Sequence, residues 1–189
     1  MNNELPIRKH PRLKRYNYNN NGAYFITVCV KDRREIFGKV ITVGRDVHIA
    51  PDDGIPSVPQ VILSEYGNIV DKHIKIINST FKDVQIDKYV IMPNHIHMII
   101  VLNKPDGNMD DRTINDIDNG AMRTSRPTVA IIPKIMRSFK TMVTKEIGFS
   151  LWQKSYHDHI IRNENEYWHI WKYIDKNSNR WEEDHYHQL

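Results

Sequence analysis

Two apolar, β-branched runs, Val84 to Met92 and His95 to Leu102, meet at the dipeptide Pro93-Asn94. A Pro-Asn corner between two such runs is the signature of a hairpin, or of one strand interrupted by a bulge, and it directs the chain toward a sheet with antiparallel pairing. The second run opens with His95-Ile96-His97. Side chains alternate along a strand, so both imidazoles fall on one face while Ile96 falls on the other. Two imidazoles side by side amount to half of a divalent-metal site, and the rest of the chain can be searched for the remaining ligands.

The chain has 189 residues, 40% hydrophobic and 26% charged, enough for one well-buried core and no call for a second. We expect a single domain over 23–181, carrying a flexible acidic insertion at about 104–127 and preceded and followed by short tails, 1–22 and 182–189. No apolar stretch is long and uninterrupted enough for a membrane span, and no charged start precedes an apolar leader, so a soluble protein of the cytoplasm is expected. The single cysteine, Cys29, lies in the apolar run Tyr24 to Val30 and reads as a small core residue. The net charge of +4 is modest, but its distribution is uneven. Arg8, Lys9, His10, Arg12, Lys14 and Arg15 precede Tyr16 and Tyr18, a pattern that fits either a backbone-contacting arm with stacking rings or a solvated tail.

Periodicity predicts strands over 23–31, 39–43, 84–92, 95–102 and 151–161. Helical spacing is expected from Ile62 to about Asn78, from Val129 to Ile147 and from Asn163 to about Lys176, with residues 45–58 as a loop. Gly148 is placed to stop the second helix, and Asn163 with Glu166 to start the third. This order predicts an α+β sandwich with helices on a mainly antiparallel sheet.

Tyr173 and Asn177 are four residues apart and are expected to share one face of the last helix. With the histidine pair they build a site in which His95, His97 and the Asn177 amide oxygen hold Mg²⁺ or Mn²⁺ beside the Tyr173 phenol. Such a site can cleave a phosphodiester by tyrosinate attack. A second His-x-His, His157-Asp158-His159, lies directly after Tyr156, which makes Tyr156 the second-choice nucleophile. The basic residues Arg137 and Lys140 on the second helix and Arg162 before the third, with Arg12 and Arg15 of the arm, are expected to contact the phosphate backbone of such a substrate. The four tryptophans near the C-terminus are read mostly as packing residues.

Met92-Pro93-Asn94-His95-Ile96-His97, Trp152 to Glu164 and Tyr173-Ile174-Asp175-Lys176-Asn177 together resemble the single-tyrosine HUH transposases of insertion sequences, and within them the REP-associated tyrosine transposases. The resemblance runs from about Tyr24, through Arg33-Arg34-Glu35-Ile36-Phe37-Gly38, to Trp181. It implies a HUH endonuclease fold, ferredoxin- or RRM-like, and a metal-dependent endonuclease and strand transferase. Its substrate would be single-stranded DNA at a hairpin, and its intermediate a covalent 5′-phosphotyrosine. His95 and His97 match the family's histidine pair, Tyr173 its nucleophile and Asn177 the polar residue one turn later. Many relatives carry proline after that asparagine, where this chain has Ser178. The family includes both monomers and homodimers. Two other function classes stay open on sequence grounds: a non-catalytic nucleic-acid-binding module, and a metal-dependent hydrolase that leaves no protein-linked product.

Overall fold

The corner at Pro93-Asn94 is a tight hairpin, closed by the Met92 amide donating to the His95 carbonyl at 2.8 Å. Our computed structural model describes residues 19–43, 58–104 and 130–183. Strands β1 (Gly22–Cys29), β2 (Gly38–Val43) and β3 (Val58–Leu63) are followed by helix α1 (Glu65–Thr80) and strands β4 (Val84–Ile91) and β5 (His95–Leu102). Helix α2 (Ile131–Ile147), strand β6 (His157–Ile161), helix α3 (Glu164–Asp175) and a 3-10 segment (Asn177–Glu183) complete the order. Arg12 and Arg15 in the basic arm, most of the expected loop at 45–58, nearly all of the acidic insertion and the last six residues lie outside the described residues.

The fold is α+β, as expected. Its main sheet has the order β4-β5-β1-β6 and every neighbouring pair is antiparallel, while β2 and β3 form a separate two-stranded ribbon. Alternation divides the side chains of β1 and β5 between two faces. Tyr24, Ile26, Val28, Ile96, Met98 and Ile100 join a large dry core with α1 and α2. Ile99, Phe25 and Val101 face α3 instead, in a smaller cluster where Ile174 is the one buried residue that α3 contributes. At roughly 1.5–3 kcal/mol for each fully buried large aliphatic side chain, the α1/α2 face carries most of the hydrophobic stabilisation. No helix among the described residues is long and apolar enough to cross a membrane.

Three expected boundaries are corrected. Helix α1 begins at Glu65 rather than Ile62, because Val58–Leu63 pairs along the whole of β2. Ser64 is the cap: its hydroxyl accepts from the Gly67 amide at 3.1 Å and donates to the Ile36 carbonyl at 2.6 Å. Gly67 permits this approach, since a Cβ there would stand 2.0 Å from the Phe37 carbonyl oxygen. The expected strand 151–161 is a strand only from His157. Lys140 of α2 takes the Gln153 and Ser155 carbonyls at 2.7 and 3.1 Å, which leaves a single bridge between Val30 and Trp152 before β6. Helix α3 ends at Asp175, one residue earlier than expected, so Asn177 opens the 3-10 segment rather than continuing the helix. The other end signals hold. Gly148 adopts a left-handed φ of 88° and closes α2, and the Asn163 side chain accepts from the Glu166 amide at 2.9 Å.

Candidate active site

β5 enters the sheet directly from the hairpin corner, so its first and third residues, His95 and His97, are aimed at the α3 face. His95 is fully buried and His97 is 2% exposed. Their Nε2 atoms stand 3.1 Å apart. Their Nδ1 atoms are held by neighbours: His95 by Asn94 Oδ1 at 2.8 Å, and His97 by Thr27 Oγ1, its partner across the β1–β5 ladder, also at 2.8 Å. Burial, with His97 adjoining, pushes the His95 imidazole down to about 2, and burial pushes His97 down to about 3. Both rings are therefore neutral at physiological pH and keep nitrogen lone pairs for a ligand.

Tyr173 reaches this pair from α3. Its hydroxyl lies 3.2 Å from His97 Nε2, and its ring meets Phe25 edge-on at 6.2 Å while Phe25 lies 5.2 Å from the His97 ring. Trp181 stacks on His95 at 6.1 Å. The tyrosine is 38% exposed, so the phenol spans the buried imidazoles and a solvent-facing pocket. That pocket, of about 360 Å³, is lined by Tyr173, Asn177, His169, Lys172, Lys176, Arg180 and Glu183. Asn177 is 2% exposed and its Oδ1 is sealed from solvent. Helix break and all, Tyr173 and Asn177 share one pocket.

The helix that carries Tyr173 is fastened by polar contacts in addition to the apolar packing of Ile174, Ile170 and Trp171. A register shift in β4 between Ile86 and Lys88 leaves Asp87 out of the ladder, and both Asp87 and Lys88 meet α3. Lys88 Nζ pairs with Asp175 at 2.5 Å and sits 3.9 Å from the Trp171 ring centroid, while the Tyr167 hydroxyl donates to Asp87. Burial and the Asp87 carboxylate push the Tyr167 phenol up to about 12, which keeps it a donor. At the helix start the Glu166 carboxylate accepts from the Arg162 amide at 2.7 Å and pairs with His159 at 2.7 Å.

The remaining sequence-predicted residues divide between the two faces of the sheet. Tyr156 is 8% exposed and packed in the α1/α2 core, with the sheet between it and the imidazoles; this argues against it as the nucleophile. Arg137 and Lys140 line a groove of about 770 Å³ on that far face, together with Lys145, Lys154 and Trp152. Burial lowers the Lys140 ammonium to about 8. His157 stands exposed on β6 as the ladder partner of Thr27, on the same face of the sheet as the imidazoles, and His159 is committed to Glu166. Trp152 and Trp181 are packed as expected, whereas Trp168 is 48% exposed.

No group of three His, Cys, Asp or Glu side chains gathers among the described residues, so a metal here would depend on the imidazole pair and an amide. The pair fits that role. A 3.1 Å gap between nitrogens matches two neighbouring ligands each about 2.1 Å from one divalent ion. The residues that could hold it are His95, His97 and Asn177.

Sequence reasoning missed Thr27 and Asn94, which hold the rings, and the cations Lys172, Lys176 and Arg180 around the tyrosine. The cations were legible, since they recur every four residues beside Tyr173 and Asn177. The Thr27 contact spans 70 residues of sequence and left no local signal.

No family model matches the chain. A solved structure of a REP-associated tyrosine transposase bound to a REP hairpin is similar over 89% of this chain and 73% of that one, with a TM-score of 0.53 and 20% identity, and thus shares the fold. An uncharacterized protein of Haemophilus influenzae is 36% identical over 188 residues, which cover 94% of this chain and 91% of that protein. The chain belongs to the same protein family as this Haemophilus influenzae protein.

Proposed function

We propose that the chain is a divalent-metal-dependent DNA endonuclease and strand transferase of the tyrosine transposase type, acting on single-stranded or hairpin DNA. The observation that carries the reading is the contact of 3.2 Å between the Tyr173 hydroxyl and His97 Nε2, at a buried pair of neutral imidazoles. The transposase-like fold supports it.

In this reading Tyr173 Oη bonds to phosphorus as the bond to the 3′ oxygen breaks. The phenolic proton ends on the departing 3′ hydroxyl, and the 5′ side stays attached as a phosphotyrosine. Reversal by a different 3′ hydroxyl joins strands. Mg²⁺ or Mn²⁺ held by His95, His97 and Asn177 would supply charge for the phosphoryl oxygens. Lys172, Lys176 and Arg180, in the pocket of Tyr173, would add to it from the protein side. Arg137 and Lys140 in the far groove, Arg162 and the arm residues Arg12 and Arg15 would hold the DNA backbone. The active unit would be a monomer working in cis or a homodimer in which α3 is exchanged between subunits. The cytoplasm, where DNA is accessible, is the proposed location.

The test is incubation with Mn²⁺ and labelled hairpin DNA from the flanks of its own gene, followed by denaturing electrophoresis. A protein–DNA adduct that forms in wild type and vanishes in Tyr173→Phe supports the reading. Chelator-sensitive cleavage without an adduct would indicate a hydrolase, and binding without cleavage a non-catalytic module.

A further inference from the structure

The two imidazoles are held by chemically different partners, and the difference has consequences for how a cation could enter. Asn94 Nδ2 lies 3.2 Å from the Arg33 carbonyl oxygen, which can only accept. This fixes the orientation of the amide, with the nitrogen toward Arg33 and Oδ1 toward His95 Nδ1 at 2.8 Å. An amide oxygen only accepts, so His95 Nδ1 carries the proton and its Nε2 carries the lone pair.

That lone pair faces His97 Nε2 across 3.1 Å. A second lone pair at this distance would repel it, so without a cation His97 must place its own proton on Nε2 and donate to His95. Tyr173 donating to a bare His97 Nε2 would leave the two lone pairs opposed, and is excluded for the same reason. His97 Nδ1 is then an acceptor, and Thr27 Oγ1, 2.8 Å away, must be the donor. A divalent cation reverses this requirement, because both Nε2 atoms must turn lone pairs toward it. The His97 proton then belongs on Nδ1, where Thr27 Oγ1 has to accept it. A hydroxyl can do both by rotating about its C–O bond; an amide oxygen cannot.

We infer that Asn94 locks His95 in the Nδ1–H tautomer whereas Thr27 lets His97 exchange tautomers as a divalent cation binds, with no net gain or loss of protons. Asn94 and Thr27 are thus positioning residues that act through the rings. The inference rests on the metal-site reading above, but its first measurement needs no metal and no DNA.

The experiment is long-range ¹H–¹⁵N correlation of the histidine rings in ¹⁵N-labelled, chelator-treated full-length protein near pH 7.5, followed by titration with diamagnetic Zn²⁺ as the probe. The expected pattern is Nδ1–H for His95 throughout, and for His97 a change from Nε2–H to Nδ1–H on adding Zn²⁺. His97 as Nδ1–H, or His95 as Nε2–H, before any metal is added overturns the inference whatever the metal then does. The assigned metal-free tautomers with no response of either ring to Zn²⁺ would refute the exchange together with the metal site. Thr27→Val keeps the shape of the side chain and removes the hydroxyl. It should weaken Zn²⁺ binding by roughly 10- to 100-fold, with Thr27→Ser restoring most of it. Undiminished affinity in a folded Thr27→Val protein would overturn the role of Thr27. Should the valine variant not fold, the wild-type spectra alone decide the question.

Discussion

Moving the metal-free protein from pH 7 to pH 5 should cost it up to about 4 kcal/mol of stability through His95 and His97 alone. Both rings are buried, and burial depresses their folded-state values to about 2 and about 3. In the unfolded chain each ring returns to an ordinary value near 6.5. Between those limits the unfolded state binds one more proton per ring than the folded state, so unfolding becomes easier as pH falls. The stabilisation is whole above about pH 6.5 and is lost on descent, at about 1.4 kcal/mol per pH unit per ring. Over pH 7 to 5 that comes to about 2 kcal/mol for each ring, an appreciable share of a typical total of about 5–15 kcal/mol. Asp71, Glu146 and Glu166 are all shifted downward, so their contributions fade mainly below this window. Urea denaturation in chelator at pH 7, 6 and 5 measures the slope, and the His95→Gln/His97→Gln variant supplies the comparison. The variant should be nearly flat where the wild type falls. Equal losses in both proteins would refute the assignment of acid sensitivity to this pair.

Lys88→Met removes the ion pair to Asp175 and the contact with Trp171; it should speed amide hydrogen exchange across α3 by about fivefold, equivalent to about 1 kcal/mol, and slow adduct formation. Unchanged exchange would show that the clamp contributes nothing to docking. Arg137→Ala in the far groove should lower the salt dependence of DNA binding by about one counterion while leaving adduct formation on saturating DNA intact. An unchanged slope would remove Arg137 from the DNA contact set. Gly67→Ala gains about 1 kcal/mol of helix propensity but places a Cβ 2.0 Å from the Phe37 carbonyl oxygen, so the melting temperature should fall; a rise would contradict the close approach.

The histidine pair, the tyrosine and the hairpin corner were readable because alternation and four-residue spacing are local rules. The fold class followed from the same periodicities. What escaped was set by contacts distant in sequence. Ile62 continues a helical apolar pattern into Tyr66, yet it lies in β3 because pairing with Lys39 satisfies its backbone. Leu151 to Tyr156 has strand composition, but two of its carbonyls bond to Lys140 instead of to a neighbouring strand. Asn177 keeps the pocket expected of it although α3 ends two residues earlier, since the 3-10 segment carries the chain on along the same side. The β4 register shift, which presents Asp87 and Lys88 to α3, has neither the glycine nor the proline that would mark an irregularity.

The sheet separates two demands that conflict within one layer. Its α1/α2 face is closed by aliphatic and aromatic side chains, and α1 and α2 are further joined where Glu146 pairs with His73 at 2.8 Å and Lys72 at 2.8 Å. The α3 face holds the imidazole pair, a phenol and a solvent-facing pocket together, so only part of it is filled with hydrocarbon, around Ile99, Ile161 and Ile174. Polar fastenings to Asp87, Lys88 and His159 make up part of that deficit. Such contacts hold direction well and weaken in salt, whereas a dry apolar seam would do neither. The tyrosine is therefore carried on an element whose seam with the sheet is part polar and part apolar, Ile174 supplying the buried apolar contact with Ile99 and Ile161.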